Sequence, residues 1–468
     1  MISPKEINGQ LLLTRPFSFD EECKFHRITT SFKGKLLSLS LIKGSGASRG
    51  GDFAMRKLLL MAGLSLSALG QTTVLTHATV IDGTGNTPQR DTTIVMENGR
   101  IRDIGPTALV QIPAGATQLD LTGKFIIPGI INAHGHVGAN RDPQLRQYAL
   151  YGVTTTTSMS FDDDDIAQFK EEQKRGNLRG ARILTVKYRF MSAPNIPGSE
   201  VKTPEAARIK VDEIVAKGAD FVKVWVDAQG GRYPKLTPEF CAAVFDEARK
   251  YNKTTMAHIV DYADAKKMVE LGVDILAHDV RDRVMDDDFI GTLKQRNVSV
   301  ISTLAREESM FVFGDSPAWL GEPFFRKGLR GDQPAKLAQK VEEQAEDPQR
   351  ERLKKALEID KINVKKLVDA GVRVALGTDS GGALDRFFIQ GFAEHRQMQL
   401  MVDAGLTPMQ VIQAFSKGAS ETLRIDRDFG TLLRGKAADL LVLGRNPLEN
   451  ITNMRGIEAV YLGGRKFE

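Results

Sequence analysis

Seven histidines and a handful of acidic residues hold most of the chemistry this chain could do, because it has only two cysteines. His134 and His136 lie in Asn132-Ala133-His134-Gly135-His136. Side chains alternate faces along a strand, so the two imidazoles point the same way, roughly 6.5–7 Å apart. At a strand end they can converge on one cation. His258 and His278 each close an apolar run, and Asp379 closes another, Ala375-Leu376-Gly377-Thr378-Asp379. One histidine at a strand end is usually structural, but four at the same end of three strands are a ligand set. Asp379 reads either as the cap of a following helix or, because Ser380 could cap equally well, as a metal ligand and proton shuttle.

Lys223 is the anomaly. It interrupts Phe221-Val222-Lys223-Val224-Trp225-Val226, a run apolar enough to be buried on both faces. A buried ammonium is costly unless paired, and it would repel metal ions. Two readings stay open. One is a salt bridge to a carboxylate such as Asp379. The other is carboxylation of the amine by CO2, which yields an anion with two oxygens able to bridge two cations. Cys23 and Cys241 exclude a disulfide framework and a thiolate zinc site.

The elements that must position these groups follow from the pattern around them. Eight β candidates alternate with helical stretches: Phe125–Ile131, Val153–Met159, Ala181–Val186, Phe221–Val226, Thr254–His258, Asp274–His278, Val298–Thr303 and Val372–Thr378. Thr203-Pro204-Glu205 and Thr237-Pro238-Glu239 read as capped helix starts, and the second helix places Phe240, Val244 and Ala248 on one face. Gly152, Gly180, Gly218, Gly272 and Gly371 precede strands, where a helix ending in a left-handed cap is expected. The expected fold is α/β: a (β/α)8 TIM-like barrel with a small β-sandwich domain built from both termini. Asn98-Gly99 and Gly463-Gly464 mark hairpins at the two ends. The expected divisions are 1–54 as an upstream extension, 55–70 as a signal peptide, 71–124 as the first part of the sandwich, 125–427 as the metal-dependent barrel and 428–468 as the second part. No GxGxxG follows the first strand, which weighs against a dinucleotide fold.

Composition excludes other classes. With 41% hydrophobic and 26% charged residues the chain reads as a globular protein. Its +5 formal charge comes largely from the first 60 residues, and no basic stripe interleaved with aromatics suggests a nucleic-acid partner. Met55-Arg56-Lys57, the apolar run Leu58–Leu69 and the small residues Ala68 and Gly70 read as a secretory signal. A periplasmic or secreted location is expected if that signal is used, with no membrane contact in the mature form. The stretch 306–352 is long for a connection and carries Phe311, Phe313, Trp319, Phe324 and Phe325, so a lid or a structural insertion is expected.

The combined pattern resembles the amidohydrolase superfamily, and within it the imidazolonepropionase-like and Xaa-Pro dipeptidase-like group. The resemblance rests on Pro128-Gly129-Ile130-Ile131-Asn132-Ala133-His134-Gly135-His136, Phe221-Val222-Lys223-Val224, Ala257-His258, Ala277-His278, Gly377-Thr378-Asp379 and the segment from Gly430 to Leu440. It implies two divalent ions, taken to be zinc. His134, His136 and Asp379 would hold one ion, His258 and His278 the other, and carboxylated Lys223 would bridge both. It implies hydrolysis of a C–N bond in an amide, dipeptide-like or cyclic amide substrate by a metal-bridging hydroxide, with Asp379 moving the proton. Ile259 stands where some dipeptidases of the group offer a polar group, and no further histidine follows the first motif; both put dipeptidase activity in question. Arg281 would bind a substrate carboxylate, or would pair with Asp279 or Asp282. A lactonase or esterase, a one-ion enzyme with Lys223 as an ammonium, and a metal-binding protein without turnover are the competing readings.

Overall fold

The computed structural model describes residues 31–32, 35–36, 72–194, 198–381 and 389–468. The expected signal peptide lies outside the described residues, as does nearly all of the 1–54 extension, where Ser31–Phe32 pairs antiparallel with Lys35–Leu36. Met1–Leu69 and Gly70–Glu468 are separate compact units, and every other element belongs to the second. Among the described residues no helix is long and apolar enough to cross a membrane.

The second unit is a mixed α/β fold. Its parallel strands form two ladders. One orders Arg182–Thr185, Val153–Ser158 and Ile130–Asn132; the other runs Arg189–Phe190, Phe221–Trp225, Thr254–His258, Ile275–Ala277, Ser299–Ser302 and Val374–Leu376. Hydrogen bonds stitch the ladders at both ends. Ala133 N donates to Leu376 O at 2.8 Å, and Asp220 N donates to Thr185 O at 2.8 Å. Seven of the eight strand candidates read from the sequence contain one of these strands, and Arg189–Phe190 falls in none of them. The first divides in two: Phe125–Pro128 joins a different sheet and Ile130–Asn132 joins the parallel ladder. Gly129 sits at the break, where a Cβ would come within 2.2 Å of Thr154 Cγ2.

Helices return the chain between parallel strands. Thr203 and Thr237 cap theirs as expected, accepting from Ala206 N and Phe240 N at 3.2 Å each. Helix Pro238–Lys250 buries Phe240, Val244 and Ala248. Gly152, Gly218, Gly272 and Gly371 take the left-handed backbone expected of them, and Gly180 does not. Gly180 is needed for space, since the Leu145 backbone passes 2.4 Å from where its Cβ would stand.

Both ends of the unit meet in one mainly antiparallel sheet. Its order is Arg465–Lys466, Ile457–Leu462, Leu440–Leu443, Phe125–Pro128, Thr73–Val80, Gln89–Glu97 and Arg100–Pro106, with Thr117–Asp120 also on Thr73–Val80. Both hairpins form, and Asn98, Gly99, Gly463 and Gly464 all hold positive φ. This sheet has its own apolar core, which includes Leu75, Ile94, Met96, Ile126, Leu440 and Tyr461. The stretch 306–352 packs as short helices, with Trp319 against Phe313, Phe325 and Phe392.

Candidate metal centre

All six residues singled out from the sequence come together at the C-terminal ends of the parallel strands. His134 Nε2 lies 3.0 Å from Lys223 Nζ and 3.4 Å from Asp379 Oδ1. His136 Nε2 lies 2.7 Å from the same Asp379 oxygen. The His278 ring centroid is 4.4 Å from that of His134 and 4.4 Å from that of His258. Ligand atoms of His134, His278 and Asp379 all fall within 4.8 Å of one another. That trio draws on both ligand groups the resemblance implied, so the two groups form one continuous cluster. The remaining histidines lie elsewhere or undescribed. His77 pairs with Asp91 on the surface, His395 bonds the Tyr151 carbonyl, and His26 is outside the described residues.

The backbone is bent to bring this about. His278 and Asp379 have φ of 80° and 52°, a region costly for residues with a Cβ. Ile275 contributes to the core between the parallel strands and Leu276 to the core outside them. Strict alternation would then turn His278 outward, and its left-handed φ re-aims it toward His134. The conformation is pinned by His278 N donating to Ile301 O at 3.1 Å, and that of Asp379 by its N donating to His134 O at 2.7 Å. Asp379 caps no described helix; the next begins at Phe392.

The electrostatics suit cation binding. Burial pushes His134 and His258 down to about 3, helped at both by the Lys223 charge and opposed by Asp379 and Asp227 respectively. Burial also lowers His136, and it drives His278 far below its ordinary value. Neutral imidazoles are what a metal requires. His278 Nδ1 lies 2.8 Å from Thr303 Oγ1, a contact that fixes the ring; with the proton on Nδ1, the Nε2 lone pair is available. The Nε2 atoms of His258 and His278 are buried without a hydrogen-bond partner among the described residues. Buried polar atoms without partners are rare in folded proteins, and here a bound cation would complete them.

A second layer holds the candidate ligands. Glu394, fully buried, accepts from Asn132 Nδ2 at 2.5 Å, Thr378 Oγ1 at 3.0 Å, Ser380 Oγ at 3.2 Å and Gly391 N at 2.7 Å. It ties the His134 strand to the Asp379 loop. Sequence reading passed over Glu394, and it also passed over Trp225 and Asp227. Trp225 stacks 4.6 Å from His258, and Asp227 Oδ2 lies 3.7 Å from His258 Nε2. Lys223, Trp225 and Asp227 share one strand parity, a signal that was present in the sequence. Arg281 pairs with neither Asp279 nor Asp282; it lies 3.2 Å from Glu307. Asp279 instead accepts from Ser302 Oγ and Thr303 N, and Asp282 from Tyr262 N. A cavity of about 350 Å³ lies elsewhere, among Thr254, Asp274, Arg296, Arg373, Glu421 and Arg424. Arg424–Asp274 and Arg373–Glu421 pair across it, and no candidate ligand faces it.

Residues 125–466 match the amidohydrolase family, and this chain belongs to it. A crystal structure of a Bifidobacterium longum protein assigned as a prolidase superposes with a TM-score of 0.70 at 25% identity, covering 85% of this chain and 95% of that one. Ochratoxinase of Aspergillus niger is 22% identical over 277 residues, 56% of this chain and 49% of the relative. Imidazolonepropionase of Mycolicibacterium smegmatis is 27% identical over 166 residues, 34% of this chain and 40% of the relative. The chain thus spans half or less of the length of these two sequence relatives.

Proposed function

We propose that this chain is a binuclear metal-dependent hydrolase that cleaves the C–N bond of an amide, dipeptide-like or cyclic amide substrate. The observation that carries the reading is the convergence of His134, His278 and Asp379 on one point, with His136, His258 and Lys223 in contact with them. The same reading takes the eight parallel strand positions as a closed (β/α)8 barrel. Arg182–Thr185 and Arg189–Phe190 are then successive pieces of one position. Supporting closure, a single buried cluster draws Ile131, Met159, Val186, Phe221, Met256, Ile275, Ile301 and Ala375 from the successive positions, as a filled barrel interior does. The sheet made from both ends is taken as the small β-sandwich, and Met55–Gly70 as an export signal.

When bound, two divalent ions supply an activated water near neutral pH and polarise the scissile carbonyl. The residues of this chain do the rest. His134, His136, His258 and His278 offer neutral nitrogens, held in place by burial and by Thr303. Lys223, once carboxylated, offers two oxygens. Asp379 takes the proton of the attacking water and passes it to the leaving nitrogen. Metal analysis of protein purified with zinc, paired with a screen of dipeptides, N-acyl amino acids and lactones, tests this. Two ions per chain and amide turnover are the expected result. One ion would leave Lys223 as an amine, and no metal would end the reading.

A further inference from the structure

One carboxylate oxygen serves two guanidinium groups beside the candidate ligands. Arg281 Nη1 lies 3.2 Å and Arg306 Nη1 2.6 Å from the same Glu307 Oε1. The roots of both arginines are fixed. Arg281 N donates to Val260 O at 3.2 Å, and Arg306 N donates to Thr303 O at 2.9 Å. The two arginine side chains are 10% and 15% exposed. Arg281 Nη1 meets Glu307 without hydrogen-bonding geometry, and Arg306 Nε is buried without a hydrogen-bond partner among the described residues. Arg306 Nε lies 3.7 Å from Asp379 Oδ2, the oxygen turned away from His136.

The charges do not balance locally. Burial works against ionising Glu307, but Arg281 and Arg306 together overcome it and hold its carboxyl low, so it contributes one negative charge against two positive ones. Asp360 adds none, because burial, reinforced by Asp279 and Glu307, holds it well above the carboxylate range. Of the other carboxylates nearby, Asp279 accepts from Ser302 Oγ and Thr303 N, and two face imidazoles: Asp379 lies 2.7 Å from His136, and Asp227 lies 3.7 Å from His258. Bound ions would draw on both. What remains is a pair of nearly buried, pre-oriented guanidinium forks with unspent donors, the arrangement that recognises a carboxylate.

We propose that Arg281 and Arg306, braced by Glu307, form a subsite for a carboxylate on the leaving-group side of the scissile amide. This rests on the hydrolase reading above. Asp379 hands its proton to the leaving nitrogen, so the leaving group lies against Asp379, and Arg306 is the cation on that side. The substrate class is an N-acyl amino acid or a dipeptide with a free C-terminal carboxylate. Water adds across the amide: its oxygen bonds to the acyl carbon, the C–N bond breaks, and the nitrogen gains a proton. The departing amino acid leaves with its carboxylate in the guanidinium pair.

Calorimetric binding to the zinc-loaded protein separates this proposal from turnover. The probes are N-methanesulfonyl glycine, leucine and phenylalanine, each beside its carboxamide; the sulfonyl group replaces the hydrolysable carbonyl. At least one acid is expected to bind roughly 10- to 100-fold tighter than its carboxamide, the scale of a charge-assisted bidentate contact. That preference is expected to vanish in Arg281→Gln, which leaves Glu307 paired with Arg306. It is also expected to vanish in Arg306→Gln, which leaves Glu307 paired with Arg281 and strands no buried charge. Equal binding of acids and carboxamides, binding of neither, or a preference that survives in both variants would overturn the subsite. If the preference is intact but no amide is hydrolysed, the subsite stands and the hydrolase reading falls.

Discussion

The Nζ of Lys223 lies 3.0 Å from Nε2 of His134, inside a strand whose other side chains are nearly all buried. As a plain amine the lysine competes with a cation for that imidazole, and as a carbamate it joins the cation's ligands. Lys223→Ala is therefore expected to lower the metal content from two ions per chain to one or none. It should also cut kcat/KM by on the order of 100-fold or more, the scale on which fixed electrostatic groups act. Elemental analysis and steady-state kinetics check both. Intact mass under neutral conditions should show one added CO2 on the metal-loaded wild type and none on the variant. Two ions retained by the alanine variant would rule out a bridging lysine.

A pH effect independent of metal comes from His395. Burial drives this histidine down to about 3, with Arg455 and Lys327 adding to the shift and the bond to the Tyr151 carbonyl opposing it. Its ordinary value is 6.5, so between those limits the unfolded chain binds a proton that the folded chain refuses. Stability contributed by neutral His395 is complete above pH 6.5 and is lost as pH falls toward 3. Denaturant unfolding at several pH values is expected to give a slope for wild type that exceeds that of His395→Gln by about one proton per molecule across this window. Identical slopes would mean that His395 titrates normally in the folded protein.

Much of this was legible in the sequence because its signals are local. Proline after threonine starts helices, Asn98-Gly99 makes a hairpin, and apolar runs ending in histidine mark strand ends. The join at Gly129 had a local signal, the breaker pair Pro128-Gly129 inside Phe125–Ile131, but only the partner strands decide where each half goes. The inward turn of His278 was hidden for a related reason: its positive φ overrides strand parity, and nothing in Ala277-His278-Asp279 announces it. Glu394 escaped notice because its partners Asn132 and Thr378 are remote in sequence. The pairing of Arg281 with Glu307 rather than with a neighbouring aspartate was settled by the short helix Leu304–Glu308 that follows strand Ser299–Ser302.

Gly377 stands where backbone and ligand meet. A Cβ there would lie 2.5 Å from Ile301 Cγ2 and 2.7 Å from His134 Cβ. Neither neighbour is a free chain end, so Gly377→Ala overpacks the spot and pushes on His134. A loss of about 1–3 kcal/mol in stability is expected, together with weaker metal retention. Denaturant titration and competition with a chelator measure the two effects. A variant of wild-type stability and metal affinity would show that the strand end yields more readily than its packing implies.

Asp379 is the residue on which fold and chemistry can be separated. Its Oδ1 contacts His136 and its backbone N bonds His134 O, so the loop is held by main-chain contacts that an asparagine preserves. The amide cannot accept and return a proton. Asp379→Asn is expected to lose turnover by about 10²- to 10⁴-fold, the range for removing a general acid–base group, while its melting temperature stays close to that of wild type. Because the asparagine oxygen remains a weak neutral ligand, metal content should fall less than activity does. A pre-steady-state assay on metal-matched samples separates the two losses. If activity and metal fall in proportion, Asp379 is only a ligand, and another group must carry the proton.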